Sequence, residues 1–241
     1  MALRRRMLWV LLAGLFLQTA AVSGQNGMTR YFVAFLRRSP ERKPLAKEEA
    51  ERIQLAHMAN IRKMAADGVL VSAGPFEDEP PTISGIFIFK TDSLATAQRI
   101  AAADPTVVEH RNIADVHAWM GPPGIGDEYV RLHKQDPKTP DNMQVHPLCM
   151  MYRGAVWESM GDRRDAVMAE HRKYMMQLRD QGKLSAGGPM EQPGDLVGLV
   201  IYRPIALEEA QRLEEADPAV KAGVLRPEFH RWWSSDHVLP W

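Results

Sequence analysis

The strongest constraint on the fold of this chain is a long-period repeat. The string His57…Gly68-Val69-Leu70…Gly74-Pro75…Gly85 returns as His171…Gly182-Lys183-Leu184…Gly188-Pro189…Gly198. It continues with Ala97…Asp104-Pro105…His117-Ala118-Trp119, matched by Ala210…Asp217-Pro218…His230-Arg231-Trp232. The spacing is 114 residues from His57 to His171 and from Gly74 to Gly188. It is 113 from Gly85 to Gly198, Asp104 to Asp217 and Trp119 to Trp232. So many identities in one register mark a duplication, and the single-residue change falls in a loop, where length is free to vary.

Each copy has the same order of elements. Tyr31 to Leu36, and roughly Pro147 to Val156, read as a first strand. Long helices follow over about Glu41–Asp67 and Asp162–Gln181, with Gly68 and Gly182 as C-caps. Val69–Ala73 and Lys183–Ala186 predict a second strand ended by Gly-Pro, and Ser84–Phe89 and Leu196–Tyr202 a third. A second helix spans about Ser93–Ala103 and Leu207–Ala216, closed by Asp-Pro, and a last strand leads to Trp119 and Trp232. The order βαββαβ is the ferredoxin-like split βαβ, an α+β unit whose helices cover one sheet face and leave the other needing a partner. The expected architecture is therefore two tandem units whose sheets face each other, an intramolecular dimeric α+β barrel.

Those copies occupy 28–120 and 146–241. Between them, 121–145 opens with Gly121-Pro122-Pro123-Gly124 and turns polar, which predicts an exposed linker. Residues 1–27 have the layout of a signal peptide and short leader. Arg4, Arg5 and Arg6 precede an apolar run from Met7 to Leu17, and small residues Ala20 to Gly24 form a cleavage zone. That run is short for a membrane span, which needs about 20 residues. The expectation is a secreted or periplasmic protein with no stable membrane anchor. The 30 basic and 30 acidic residues cancel, and aromatics are 7% of the chain, so nothing points to nucleic acid as a partner. Cys149 is the one cysteine, excluding a disulfide within the chain, and its apolar surroundings predict a buried, inert thiol.

A helical His, Gly-x-Leu, a Gly-Pro turn, a Gly-bearing strand, an Ala-rich helix and Asp-Pro, in that order, together resemble the YCII-related domain, in both copies. The resemblance implies a dimeric α+β barrel, a His–Asp active site and a small substrate, aromatic-derived in some relatives. Carried across, the site falls on His57 and Asp104 and on His171 and Asp217. Secretion and tandem fusion both depart from the family's usual short intracellular chain.

The residues themselves allow two readings of these positions. His57 shares a helix face with Ile53, Ile61 and Met64, and His171 with Val167, Met175 and Leu178, so each imidazole projects toward the sheet. A core histidine satisfied by a neighbour fits that placement. A general acid or base fits it too, and the retention of His while its neighbours diverge favours the second. Asp104 and Asp217 serve as turn formers before Pro, as partners that orient the imidazole, or as both. On the last strand, Asp115, His117 and Trp119 share one face, as do Glu228, His230 and Trp232. They are expected either to line a pocket between the sheets or to join the two units. Gly74 and Gly188 are read as strand-end turns shaping a pocket rim, and Gly85 and Gly198 as bulges or close backbone approaches.

No phosphate loop, dinucleotide fingerprint or standard metal cluster is present in the sequence, so neither a cofactor nor a metal is expected. The leading expectation is a cofactor-independent acid–base enzyme, of lyase or isomerase type, acting on a small organic substrate. The alternative is a secreted, non-catalytic module that holds a small ligand in the inter-sheet cavity. Further pairing of the two-lobed chain into a homo-oligomer is left open.

Overall fold

The computed structural model describes residues 27–79 and 81–241; the expected signal peptide lies outside them. The first lobe runs β1 (Thr29–Arg38), α1 (Lys47–Ala66), β2 (Leu70–Pro75), β3 (Ile83–Phe89), α2 (Leu94–Ala102), a short α3 (Pro105–Val108) and β4 (Asn112–Gly121). After α4 (Asp127–Gln135), the second repeats it: β5 (Met143–Arg153), α5 (Arg163–Asp180), β6 (Leu184–Pro189), β7 (Leu196–Tyr202), α6 (Leu207–Glu215), α7 (Pro218–Lys221) and β8 (Leu225–Ser235). The strand orders are β2-β3-β1-β4 and β6-β7-β5-β8, with every pairing antiparallel. Among the described residues no helix is long and apolar enough to cross a membrane.

Strand β1 shows why the sheets face each other. Tyr31, Val33 and Phe35 point into a core shared with Leu148, Met150, Leu199 and Ile201 of the other sheet. Phe32, Ala34 and Leu36 point the opposite way, into a core under the helices. A strand covered on both faces must be apolar at every position, which explains the uninterrupted run from Tyr31 to Leu36. The second lobe has its own helix-side core around Cys149, Met151, Leu178 and Tyr202. Cys149 is fully buried, and burial pushes its thiol well up, away from the thiolate.

The two sheets close by exchanging the loops that follow β2 and β6. Phe76 bridges to Trp232, and Glu77 N donates to Arg231 O at 2.9 Å. In the corresponding position of the other copy, Met190 bridges to Trp119, and Glu191 N donates to Ala118 O at 2.9 Å. Gly74 and Gly188 lie inside this seam within their strands, not at strand-end turns. A Cβ on Gly74 would sit 1.8 Å from Trp233 O, and one on Gly188 1.9 Å from Met120 O. Gly85 and Gly198 face register shifts at Leu36/Arg37 and Met151/Tyr152, the bulges expected of them.

Other differences have simple causes. Helix α1 begins at Lys47 rather than Glu41, because Pro44 disfavours helical geometry at the residue before it. Asp104 and Asp217 do more than end a helix: each starts the next one. Thr106 N donates to Asp104 Oδ1 at 2.9 Å, and Ala219 N to Asp217 Oδ1 at 2.6 Å, capping α3 and α7.

The segment 121–145 is also more than an exposed linker. It carries α4, and Ile125 is wholly buried in the inter-sheet core, its N–H donating to the Tyr31 hydroxyl at 3.3 Å. A positive φ of 82° at Gly126 turns the chain there, where Gly126 N donates to Val238 O. Ile125→Ala is expected to cost about 2–5 kcal/mol, the usual penalty for an aliphatic cavity in a packed core. Urea unfolding tests this; an unchanged midpoint would mean that the segment is only loosely docked.

Candidate active site

In both lobes the helical histidine meets the aspartate of its own copy. His57 Nδ1 lies 2.9 Å from both Oδ1 and Oδ2 of Asp104, and His171 Nδ1 lies 2.5 Å from Asp217 Oδ2. The aspartates are fully buried, while each histidine side chain keeps 14% of its surface exposed. The His57 ring stacks on Phe87 of β3, with centroids 5.8 Å apart. The site is therefore in the layer between helix and sheet.

Asp104 has further partners. Thr106 Oγ1 donates to its Oδ1 at 2.6 Å, and Asn60 Nδ2 to its Oδ2 at 2.9 Å. Burial pushes the Asp104 carboxyl up, but the bonds from His57, Thr106 and Asn60 outweigh it and hold it below the usual carboxylate range. An ionised carboxylate only accepts, so His57 Nδ1 carries a proton. In the neutral ring Nε2 is then left as the acceptor. Nε2 has no hydrogen-bond partner among the described residues.

The bonding continues away from His57. Asn112 Nδ2 donates to Thr106 Oγ1 at 3.0 Å, and Ser84 Oγ donates to Asn112 Oδ1 at 2.8 Å. This chain of polar groups borders a cavity of about 810 Å³ that runs from beneath α1, past the first sheet, to Tyr129 of α4 and to Met143, Ser235 and Val238 of the second half of the chain. His57, Thr106, Ser84 and Asn112 line it beside Leu36, Ile53, Ile61 and Phe87. Ser72 also lines it; the residue is only 5% exposed, and its Oγ has no partner among the described residues.

The second lobe is built differently at each of these points. In the repeat register Asn60 becomes Tyr174, Thr106 becomes Ala219, Ser84 becomes Val197 and Asn112 becomes Leu225. Val156, Trp157 and Met160, from the segment between β5 and α5, pack onto the second helix-side core. No residue of 39–46 does so in the first lobe. Glu214 replaces Ala101 and is fully buried, with the Tyr202 hydroxyl donating to its Oε1 at 2.7 Å.

The last-strand residues serve the seam. Trp119 and Trp232 have no exposed surface and belong to the inter-sheet core, so they are not pocket walls. Trp119 Nε1 donates to Gly188 O at 3.0 Å. His230 bridges the lobes, with Nδ1 2.7 Å from Asp78 Oδ2 and Nε2 3.2 Å from Glu228 Oε1. His117 Nε2 lies 2.8 Å from Asp115 Oδ1, a close contact without hydrogen-bond geometry. His117 and Arg37 hold the Asp115 carboxyl down to about 2. The inter-sheet space is thus packed with side chains where the two tryptophans meet it, because large apolar residues from both sheets fill it. The groups missed by sequence reasoning (Asn60, Ser72, Ser84, Thr106 and Asn112) are ordinary polar residues taken singly. Their one signal is that each has a less polar or bulkier counterpart in the second copy.

Among the described residues no group of three or more His, Cys, Asp or Glu side chains is placed to hold a metal ion. Fold and site together define a tandem ferredoxin-like barrel with a buried His–Asp pair in each lobe. The YCII-related domain matches twice, over residues 32–118 and 128–228, and the chain belongs to that family. No curated protein sequence matches it. Similar solved structures include chlorite dismutases from Candidatus Nitrospira defluvii. A mutant form in complex with cyanide is 11% identical, with a TM-score of 0.56 over 88% of this chain and 92% of that one. A form in complex with imidazole is 11% identical, with a TM-score of 0.51 over the same shares. At such identities the likeness is one of fold alone.

Proposed function

We propose that this protein is an acid–base enzyme working without a cofactor on a small organic substrate, and that the reaction takes place in the first lobe. The observation that carries this reading is the His57–Asp104 pair opening onto a cavity of about 810 Å³. His57 Nε2 takes a proton from the substrate, and the Asp104 carboxylate steadies the imidazolium that forms. Returning that proton to another atom gives an isomerisation; losing a leaving group from the neighbouring carbon gives a lyase step. The oxygen of Thr106 and the amide of Asn60 hold Asp104 in place, so the imidazole keeps one tautomer and one orientation. The leader extends the proposal to a location outside the cytoplasm, which N-terminal sequencing of the mature protein would test.

The two lobes supply the experiment. Proton–deuterium exchange into a panel of small enolisable carbonyl compounds is followed by NMR for the wild type, His57→Ala and His171→Ala. His57→Ala is expected to slow the active member by about 10²–10⁴-fold, the usual worth of a general base. His171→Ala is expected to stay within about threefold of wild type, with the second pair acting as a helix-capping strut. Equal exchange by wild type and His57→Ala would overturn the reading.

A further inference from the structure

We propose that the first-lobe cavity selects anionic substrates: a small carboxylate whose charged end is held by Arg38, Arg42 and Arg111, with its apolar body lying toward His57. This rests on the acid–base reading and adds to it the class of molecule that enters.

The three arginines line the same cavity as His57. Arg38 pairs in register with Asn112, at the joined ends of β1 and β4, so Arg38 and Arg111 are neighbours across that end of the sheet. Arg111 Nη1 donates to the carbonyl of Lys43, which anchors its side chain beside the loop that bears Arg42. Burial and then the charges of Arg111 and Arg38 lower the Arg42 pKa, as expected where three guanidinium groups share a small region.

These charges lack the partners that other arginines of the molecule have. Arg30, Arg37, Arg52, Arg131, Arg153 and Arg179 each pair with a carboxylate. Arg38, Arg42 and Arg111 pair with none among the described residues. The carboxylates on the cavity wall are engaged elsewhere, Glu51 with Lys47 and Asp141 with Tyr129. Like charges gathered without a counterion repel, and a carboxylate docking there relieves that repulsion while gaining charge-assisted hydrogen bonds.

The location adds weight. Asn112 lies one residue from Arg111 and belongs to the polar chain that leads through Thr106 and Asp104 to His57. The rest of the wall is largely apolar, with Ser72, Ser84, Thr106 and Asn112 as its neutral polar residues nearest His57. The second copy has no such cluster. Arg153, the counterpart of Arg38, pairs with Glu158 at 3.0 Å and stacks on Trp157, and Val224 stands in place of Arg111. Cation cluster, polar chain and cavity therefore occur together in one lobe.

Calorimetric titration of the full chain compares phenylacetate, benzoate and 3-phenylpropionate with their neutral amides. At least one carboxylate is expected to bind about tenfold or more tightly than its amide at low salt, with the preference shrinking as salt is raised. In Arg42→Gln/Arg111→Gln the preference is expected to fall to within about twofold, a loss near 1 kcal/mol. His57→Ala is expected to retain it, so failure of the acid–base reading and failure of this one are told apart. Equal affinities for acid and amide, no binding by any carboxylate, or an unchanged preference in the double variant would each overturn the proposal. Arg38 and Arg42 are exposed and Arg111 is half-buried, and an unaltered far-UV spectrum of the double variant separates lost recognition from lost fold.

Discussion

Gly188→Ala and Gly74→Ala should each open the seam between the two lobes and lower the melting temperature by roughly 5–12 °C, corresponding to a loss of about 3 kcal/mol. The atoms in the way are backbone. A methyl group on Gly188 would lie 1.9 Å from Met120 O, and one on Gly74 1.8 Å from Trp233 O. Neither carbonyl can swing aside as a flexible side chain would, because each belongs to the strand that closes the barrel. Relief requires β8 to move from β2, or β4 from β6, and that movement weakens the loop exchange beside it. Gly187 is the internal control: its added Cβ would meet nothing nearer than 3.6 Å, so Gly187→Ala should melt within about 2 °C of wild type. Calorimetry on the three variants decides. If Gly188→Ala melts like Gly187→Ala, the seam is looser than this packing requires.

The second large effect is a pH-dependent one at Glu214. Its side chain is sealed, one oxygen accepting from the Tyr202 hydroxyl and the other with no partner among the described residues. Burial raises the Glu214 carboxyl to about 8; the Tyr202 bond opposes this and the nearby Asp217 charge adds to it. A folded pKa above the unfolded value of 4.5 means that the folded state holds the proton more tightly. The stabilisation is therefore complete below about pH 4.5 and is lost as pH rises toward 8, at up to roughly 1.4 kcal/mol per pH unit. Glu214→Gln keeps the shape and removes the ionisation. It is expected to melt about 5–10 °C above wild type at pH 9 and within a few degrees of it at pH 5. Parallel melting curves for the two proteins across this range would show that the Glu214 carboxyl has the same pKa in the folded and unfolded chain. Because the two are compared at each pH, all other titrating groups cancel.

Much of the architecture could be read along the chain. The repeat register, from His57/His171 to Trp119/Trp232, fixes the order of elements in both lobes, and Gly68 and Gly182 do adopt the positive φ of a helix end. These are local signals. Helix periodicity, glycine conformation and the double-faced apolar run of β1 act within a few residues, so they leave a mark in the sequence. The placement of Gly74 and Gly188 was legible as a constraint but not as a location. A missing Cβ looks the same at a turn and at a tight crossing, and the atoms that forbid it, on Trp233 and Met120, lie far away in the chain.

The site divides in the same way. Duplication singles out His57, Asp104, His171 and Asp217 along the chain, because each residue type returns in register, but it leaves open which His meets which Asp. That each pair forms within its own copy, and that Ile125 of the joining segment is core rather than linker, follows from packing between segments far apart in the chain. Such packing also distinguishes the lobes, setting the cavity beside His57 while Val156, Trp157 and Met160 pack onto the core of the second lobe. A cavity is the volume that side chains from distant segments leave unfilled. No single stretch of sequence encodes that remainder, which exists only once α1, the first sheet, α4 and the end of the second lobe have packed.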